Sequence, residues 1–167
     1  MSKKEKDIEL IPDNGVPSGW KVKHDGKQGS APGSYPKVDF AKDSGPHLVV
    51  FQLPQTSPAT FNAADPIWIQ KGTTSPTQSG MDPQFPDWAI FNGGKTLVLL
   101  DKNSGSPDQF SYRIKADNYT PILDPIIDNG GGIGQMSSAN YWLEGGVGLL
   151  LAVAFFLIGR AYQRNLK

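Results

Sequence analysis

Few side chains in this sequence have the type and spacing that chemistry requires. His24 and His47 are its two histidines, and neither stands at a distance from a Ser or Asp that matches a nucleophile motif. Two carboxylate pairs, Asp82 with Asp87 and Asp124 with Asp128, have the residue types of a glycosidase pair. Turns and strand ends account for them more simply on so short a chain. There is no cysteine, which excludes disulfides, thiolate nucleophiles, zinc–thiolate centres and blue copper. The metal chemistry that remains is calcium at loop carboxylates such as Asp82, Asp87 and Asp128, whose spacing is not that of an EF-hand. The run GGGIG at 130–134 lacks the Lys-Ser/Thr of a phosphate loop and reads as a linker. No catalytic residue, metal or cofactor is assigned, and the chemistry left is recognition.

Recognition draws on aromatic side chains. Trp68 and Trp88 flank a Pro-rich connection from Gly72 to Asp87, long for a small β domain. A Trp on a strand ordinarily enters the core. With either indole at the surface, Trp68, Asp82, Phe85 and Trp88 are the candidate contact surface for a protein or a carbohydrate.

The elements that must position these residues are short strands. Gly (19) and Pro (14) are abundant in the 167 residues, which favours strands and turns. Lys+Arg and Asp+Glu balance at 16 each, so no net field gathers nucleic acid, which is excluded as a partner. HLVVFQL (47–53), PIWIQ (66–70), WAIFN (88–92), TLVLLD (96–101), FSYRIKA (110–116) and TPILDPIID (120–128) read as strands. Gly93-Gly94-Lys95 and Asp117-Asn118 read as turns, and Asp101-Lys102-Asn103 as a hairpin turn closed by side-chain bonds. Prolines 121 and 125 place the last strand at an edge or a bulge. With no helical pattern before residue 135, the expectation is an antiparallel β-sandwich over 46–129. Residues 1–45 are polar and punctuated by Gly and Pro, and read as a flexible arm. Residues 130–140 read as a Gly/Ser linker.

Beyond the linker the composition changes. From Val147 to Ile158 the chain reads VGLLLAVAFFLI. Extended to Tyr141 and Tyr162, the segment is about 22 residues, roughly 33 Å of helix, which spans a bilayer. Leu149, Leu150, Leu151, Phe155 and Phe156 supply the apolar surface. Tyr141 and Trp142 at one end and Arg160 at the other are the edging expected at lipid headgroups. Glu144 reads either as an interfacial carboxylate or as a contact to a partner helix, with Gly145 and Gly148 in a small-residue patch beside it. Residues 163–167 form a basic tail. The N-terminus shows no signal-peptide pattern, so the layout is that of a tail-anchored protein. The positive-inside rule would place the tail in the cytoplasm, yet moving a folded head across the membrane without a signal is the harder process. A cytoplasmic head is favoured over an external one.

The strand motifs DPIWIQKG (65–72), DPQF (82–85), TLVLLDKN (96–103), FSYRIKADN (110–118) and LDPIIDNG (123–130) resemble those of the DP-EP family of bacterial β-sandwich proteins. The resemblance covers the head alone. It implies an immunoglobulin-like or cupredoxin-like sandwich with no established activity, to which the arm and the membrane helix are additions. The expected protein is therefore a non-enzymatic, single-pass interaction or accessory protein of a bacterial membrane, with the bilayer and a membrane protein as partners. The alternative is a sugar- or calcium-binding sensing sandwich displayed outside, which a shared Trp68–Trp88 platform would favour.

Overall fold

Alternation of apolar side chains generates the strands, and their pairing decides the fold. The computed structural model describes residues 5–129 apart from 17, 42–44, 105–107 and 124. Twelve strands lie among them: β1 (Glu5–Pro12), β2 (Trp20–His24), β3 (Lys27–Gly29), β4 (Val38–Phe40), β5 (His47–Gln52), β6 (Thr60–Phe61), β7 (Ile67–Lys71), β8 (Asp87–Phe91), β9 (Thr96–Asp101), β10 (Asp108–Asp117), β11 (Tyr119–Leu123) and β12 (Ile126–Asn129). The first sheet runs β3-β2-β1-β5-β9-β8. In the second, β10 is the hub: it pairs with β11 and β12 and also with β6 and β7, and β12 pairs in turn with β4.

Both sheets feed one hydrophobic core, the arrangement of a β-sandwich. Ile8, Leu10, Trp20, Val22, Val49, Phe51, Leu97 and Leu99 come from the first sheet, and Phe61, Ile67, Ile69, Phe110, Tyr112, Ile114 and Ile127 from the second. In β10 the expected alternation holds, with Phe110, Tyr112 and Ile114 in the core and Ser111, Arg113 and Lys115 on the opposite face.

The N-terminal segment is not a loose arm. Residues 5–40 supply four strands and bury Ile8, Leu10, Trp20, Val22, Tyr35, Val38 and Phe40. β1, β2 and β4 each have only two or three large apolar residues and β3 has none, too few to show a period in sequence. Strand pairing satisfies their backbone and long-range contacts bury their inner faces. Two of the pairings are parallel, β1 with β5 and β4 with β12, so the sheets are mixed rather than wholly antiparallel. Both parallel pairs use strands from this N-terminal segment.

Two further expectations change in detail. The expected last strand is two strands: β11, which carries Pro121, is at the edge of its sheet, whereas β12 lies between β10 and β4. Its register is continuous with β11: Leu123 faces Ile114, Ile126 faces Ser111, and the Pro125 carbonyl between them accepts from the Tyr112 N–H (3.1 Å). The Asp101–Asn103 turn does close on a side-chain bond, Asp101 Oδ1 accepting from the Asn103 N–H (2.8 Å). It is not a hairpin, because β9 and β10 belong to different sheets.

Candidate functional site

The parity of β7 sends Ile67 and Ile69 into the core and Trp68 to the outer face of the second sheet, where it is half-buried. Arg113 stands directly across the ladder. Its guanidinium carbon is 5.5 Å from the indole centroid, and the Lys115 ammonium is 4.5 Å from it, both cation–π distances. Asp65, in the bulge between β6 and β7, completes the group. Its carboxylate accepts from Trp68 Nε1 (2.7 Å), Lys115 Nζ (3.2 Å) and Ser79 Oγ (3.2 Å). The bulge is shaped by Asn62, whose Oδ1 accepts from the Ala64 and Asp65 N–H groups (3.1 and 2.8 Å).

The Gly72–Asp87 connection is tied down beside this patch. The Thr74 carbonyl accepts from Gln70 Nε2 (2.7 Å) and from the Ser111 hydroxyl, and Ser75 Oγ accepts from Arg113 Nη2 (3.2 Å). Farther along, the connection pairs with the free edge of β7: the Ile69 N–H donates to the Gly80 carbonyl (2.9 Å) and the Asp82 N–H to the Ile69 carbonyl (3.0 Å). A long loop without secondary structure is thereby held in one place.

The four expected contact residues do not converge. Phe85 is 1% exposed and packs edge-on against Phe110, with ring centroids 5.0 Å apart. Trp88 packs against the core from the first sheet, so it shares no platform with Trp68. Asp82 works locally, its Oδ1 accepting from the Gln84 N–H (2.9 Å). It lines an open pocket of about 420 Å³ with Lys71, Gln84, Lys102, Ser104 and Asp108, in which Lys71 and Asp108 form an ion pair (2.7 Å). Asp87 Oδ1 accepts from the Trp88 N–H (3.1 Å). Both histidines are buried, His24 at 5% and His47 at 1% exposure. A His24 ring nitrogen meets the Asp7 carbonyl (2.8 Å), and the His47 ring stacks on Phe40 with centroids 4.3 Å apart.

A polar group built from the expected 101–103 turn and the last residue of the expected sandwich lies inside the fold. Asp101 at the end of β9 is fully buried, as are Asn103 and Asn129. Asp101 Oδ1 accepts from the Asn103 N–H and from Asn129 Nδ2 (3.0 Å), and Asn103 Nδ2 donates to the Ala41 carbonyl (2.6 Å). Burial pushes the Asp101 carboxyl up to about 6, against the smaller opposing pull of those two hydrogen bonds. A signal was present in sequence: Asp101 is in phase with Leu97 and Leu99, and Asn129 with Ile127, so both point where the core residues point.

Among the described residues, no three His, Asp or Glu side chains come together to hold a metal ion, and no helix is long and apolar enough to cross a membrane. The expected linker, anchor (Tyr141, Trp142, Leu149, Leu150, Leu151, Phe155, Phe156, Arg160) and helix contact (Glu144, Gly145, Gly148) lie outside the described residues, as does Asp124. No protein-family model matches the chain, and no curated protein matches it.

Proposed function

We propose that the chain is a non-enzymatic, single-pass interaction or accessory protein that presents its β domain at a bacterial membrane. The observation that carries this reading is the uninterrupted apolar run VGLLLAVAFFLI at 147–158, set between Tyr141-Trp142 and Arg160. The head is an immunoglobulin-like or cupredoxin-like sandwich of the DP-EP type. Two sheets around one core and the motifs quoted above support that finer assignment. The patch of Trp68, Arg113, Lys115 and Asp65 supports a protein-contact role, because its indole and charges are already oriented by one another. Anchoring raises the local concentration of the head around membrane partners, so a modest contact surface suffices.

Fractionation and labelling test the reading together. The full chain stays with membranes after alkaline carbonate extraction, whereas the double substitution Leu150→Lys, Phe155→Lys releases it. An impermeant maleimide on intact cells then reads orientation from Lys27→Cys and Asn165→Cys in this cysteine-free background. Labelling at 165 alone places the head in the cytoplasm, the favoured arrangement. Labelling at 27 alone places it outside, and turns the partner search to extracellular ligands such as sugars or calcium. Recovery of the unsubstituted chain in the soluble fraction overturns the proposal.

A further inference from the structure

Asp101 and Asn129 bridge the two sheets, since β9 belongs to the first and β12 to the second. One hydrogen bond joins them, from Asn129 Nδ2 to Asp101 Oδ1 (3.0 Å). The other two polar atoms of the same pair, Asp101 Oδ2 and Asn129 Oδ1, are buried and meet no hydrogen-bond partner among the described residues. With the carboxyl ionised, both are acceptors with nothing to accept, a costly state in an apolar interior. A single proton resolves both deficits. A protonated carboxyl gains one O–H donor while its other oxygen remains an acceptor. Oδ2–H can then donate to Asn129 Oδ1 while Oδ1 keeps the amide N–H, closing a cyclic acid–amide pair.

We infer that Asp101 and Asn129 form a proton-dependent clasp, closed when the carboxyl is protonated, which fixes the end of β12 against the first sheet. Loss of the proton leaves one bond of the two and a buried charge, and the last turn of the ladder at Asp128 and Asn129 loosens. The proton comes from bulk water and returns to it, with no other group reduced or oxidised.

His47 on β5 stands across the ladder from Asp101 and stacks on Phe40. Lys102, the next residue, is exposed, as is Asp39 on β4. Asp108 on β10, opposite Asn129, is ion-paired with Lys71. Among the described residues, the forces on the carboxyl are burial and the two N–H donors already described. The clasp lies wholly within the sheets and is independent of the membrane reading.

The test is a pH titration of the full chain in detergent micelles by nuclear magnetic resonance. The clasp requires the Asp101 side-chain carbon to titrate with a midpoint of about 6, and the Asn129 side-chain amide signals to move with the same midpoint. It also requires hydrogen-exchange protection of the β12 amides, corrected for intrinsic rates, to fall by about tenfold or more across that midpoint. In Asp101→Asn, an amide–amide pair keeps both hydrogen bonds without a titrating group, so β12 protection becomes independent of pH. An Asp101 midpoint in the ordinary carboxylate range, or Asn129 signals that do not follow it, overturns the inference. So does the same pH-dependent loosening of β12 in Asp101→Asn. If that variant does not fold, the two titrations of the unsubstituted chain decide the matter alone.

Discussion

The indole of Trp20 donates its Nε1–H to the carbonyl of Pro121 at 2.8 Å, across 101 residues of chain. The same ring meets Tyr119 edge-on, with centroids 4.7 Å apart. The Tyr119 hydroxyl in turn donates to the Gly19 carbonyl. A strand near the N-terminus is thus locked to the hairpin of the second sheet, through a side chain that is 0% exposed.

Trp20→Ala is expected to destabilise the head by about 3–5 kcal/mol, from lost burial plus the cavity left behind. Trp20→Phe keeps most of the apolar volume but leaves the Pro121 carbonyl without its donor, and is expected to cost about 1–3 kcal/mol. Urea denaturation followed by circular dichroism measures both. A loose N-terminal arm would make both substitutions silent.

Asp101 sets a pH dependence whose sign is opposite to that of an ordinary ion-paired carboxylate. Its folded carboxyl lies at about 6, above the ordinary 3.8, so between those values the folded state holds a proton that the unfolded state has released. Its contribution is therefore complete below the lower value and is lost as pH rises through the upper one. The loss is of order 3 kcal/mol at roughly 1.4 kcal/mol per unit. Subtracting the stability profile of Asp101→Asn from that of the unsubstituted chain should isolate a fall between these values. A flat difference profile would contradict it.

Gly45 illustrates a backbone approach that admits no side chain. A Cβ there would overlap the Lys102 carbonyl, a backbone group that cannot rotate away. Gly26, in the β2–β3 turn, instead has open space around it but a φ of 73°. Gly26→Ala should cost about 1–2 kcal/mol, the left-handed penalty alone. Gly45→Ala should cost more, because its Cβ displaces the turn that carries Asp101 and Asn103. Thermal melting of the two variants side by side tests that ranking.

At the Trp68 patch, the hydrogen bonds outweigh the ion pair. Lys115 and Asp65 are both partly exposed, 42% and 32% at the side chain, and such a pair contributes little, about 0–1 kcal/mol. Asp65→Asn keeps an amide oxygen to accept from Trp68 Nε1, while its NH2 can donate to the Ser79 hydroxyl, which also accepts, so it is expected to be nearly neutral. Asp65→Ala leaves the indole N–H without its acceptor and is expected to cost about 1–3 kcal/mol. Equal losses for the two variants, measured by urea denaturation, would show that the charge matters more than the acceptor.

Local periodicity carried most of the strands from β5 onward. TLVLLD at 96–101 matches β9 residue for residue, and the Phe110, Tyr112 and Ile114 stripe matches the buried face of β10. Such strands were legible because each has enough apolar side chains at period two to declare a face by itself. The apolar run at 147–158 is likewise a property of composition alone. The N-terminal strands were not legible, because EKDIELIP and WKVKH place charged residues on their outer faces and only two or three apolar residues on the inner. Their strand character comes from pairing, β1 with β5 and β2 with β1, and from burial against the second sheet, neither of which a local window contains.

The contact surface divides in the same way. Residue type singled out Trp68, Asp82, Phe85 and Trp88, but side-chain direction depends on strand register, and exposure depends on what the opposite sheet covers. Tertiary structure therefore kept Trp68 on the outer face, drew Phe85 and Trp88 toward the core, and left Asp82 in a separate pocket. It also brought Asp101 and Asn129 together across 28 residues. Sequence determined that these two polar residues fall in phase with core positions. Only the packing of one sheet on the other decided that they meet there, where burial makes a proton worth holding.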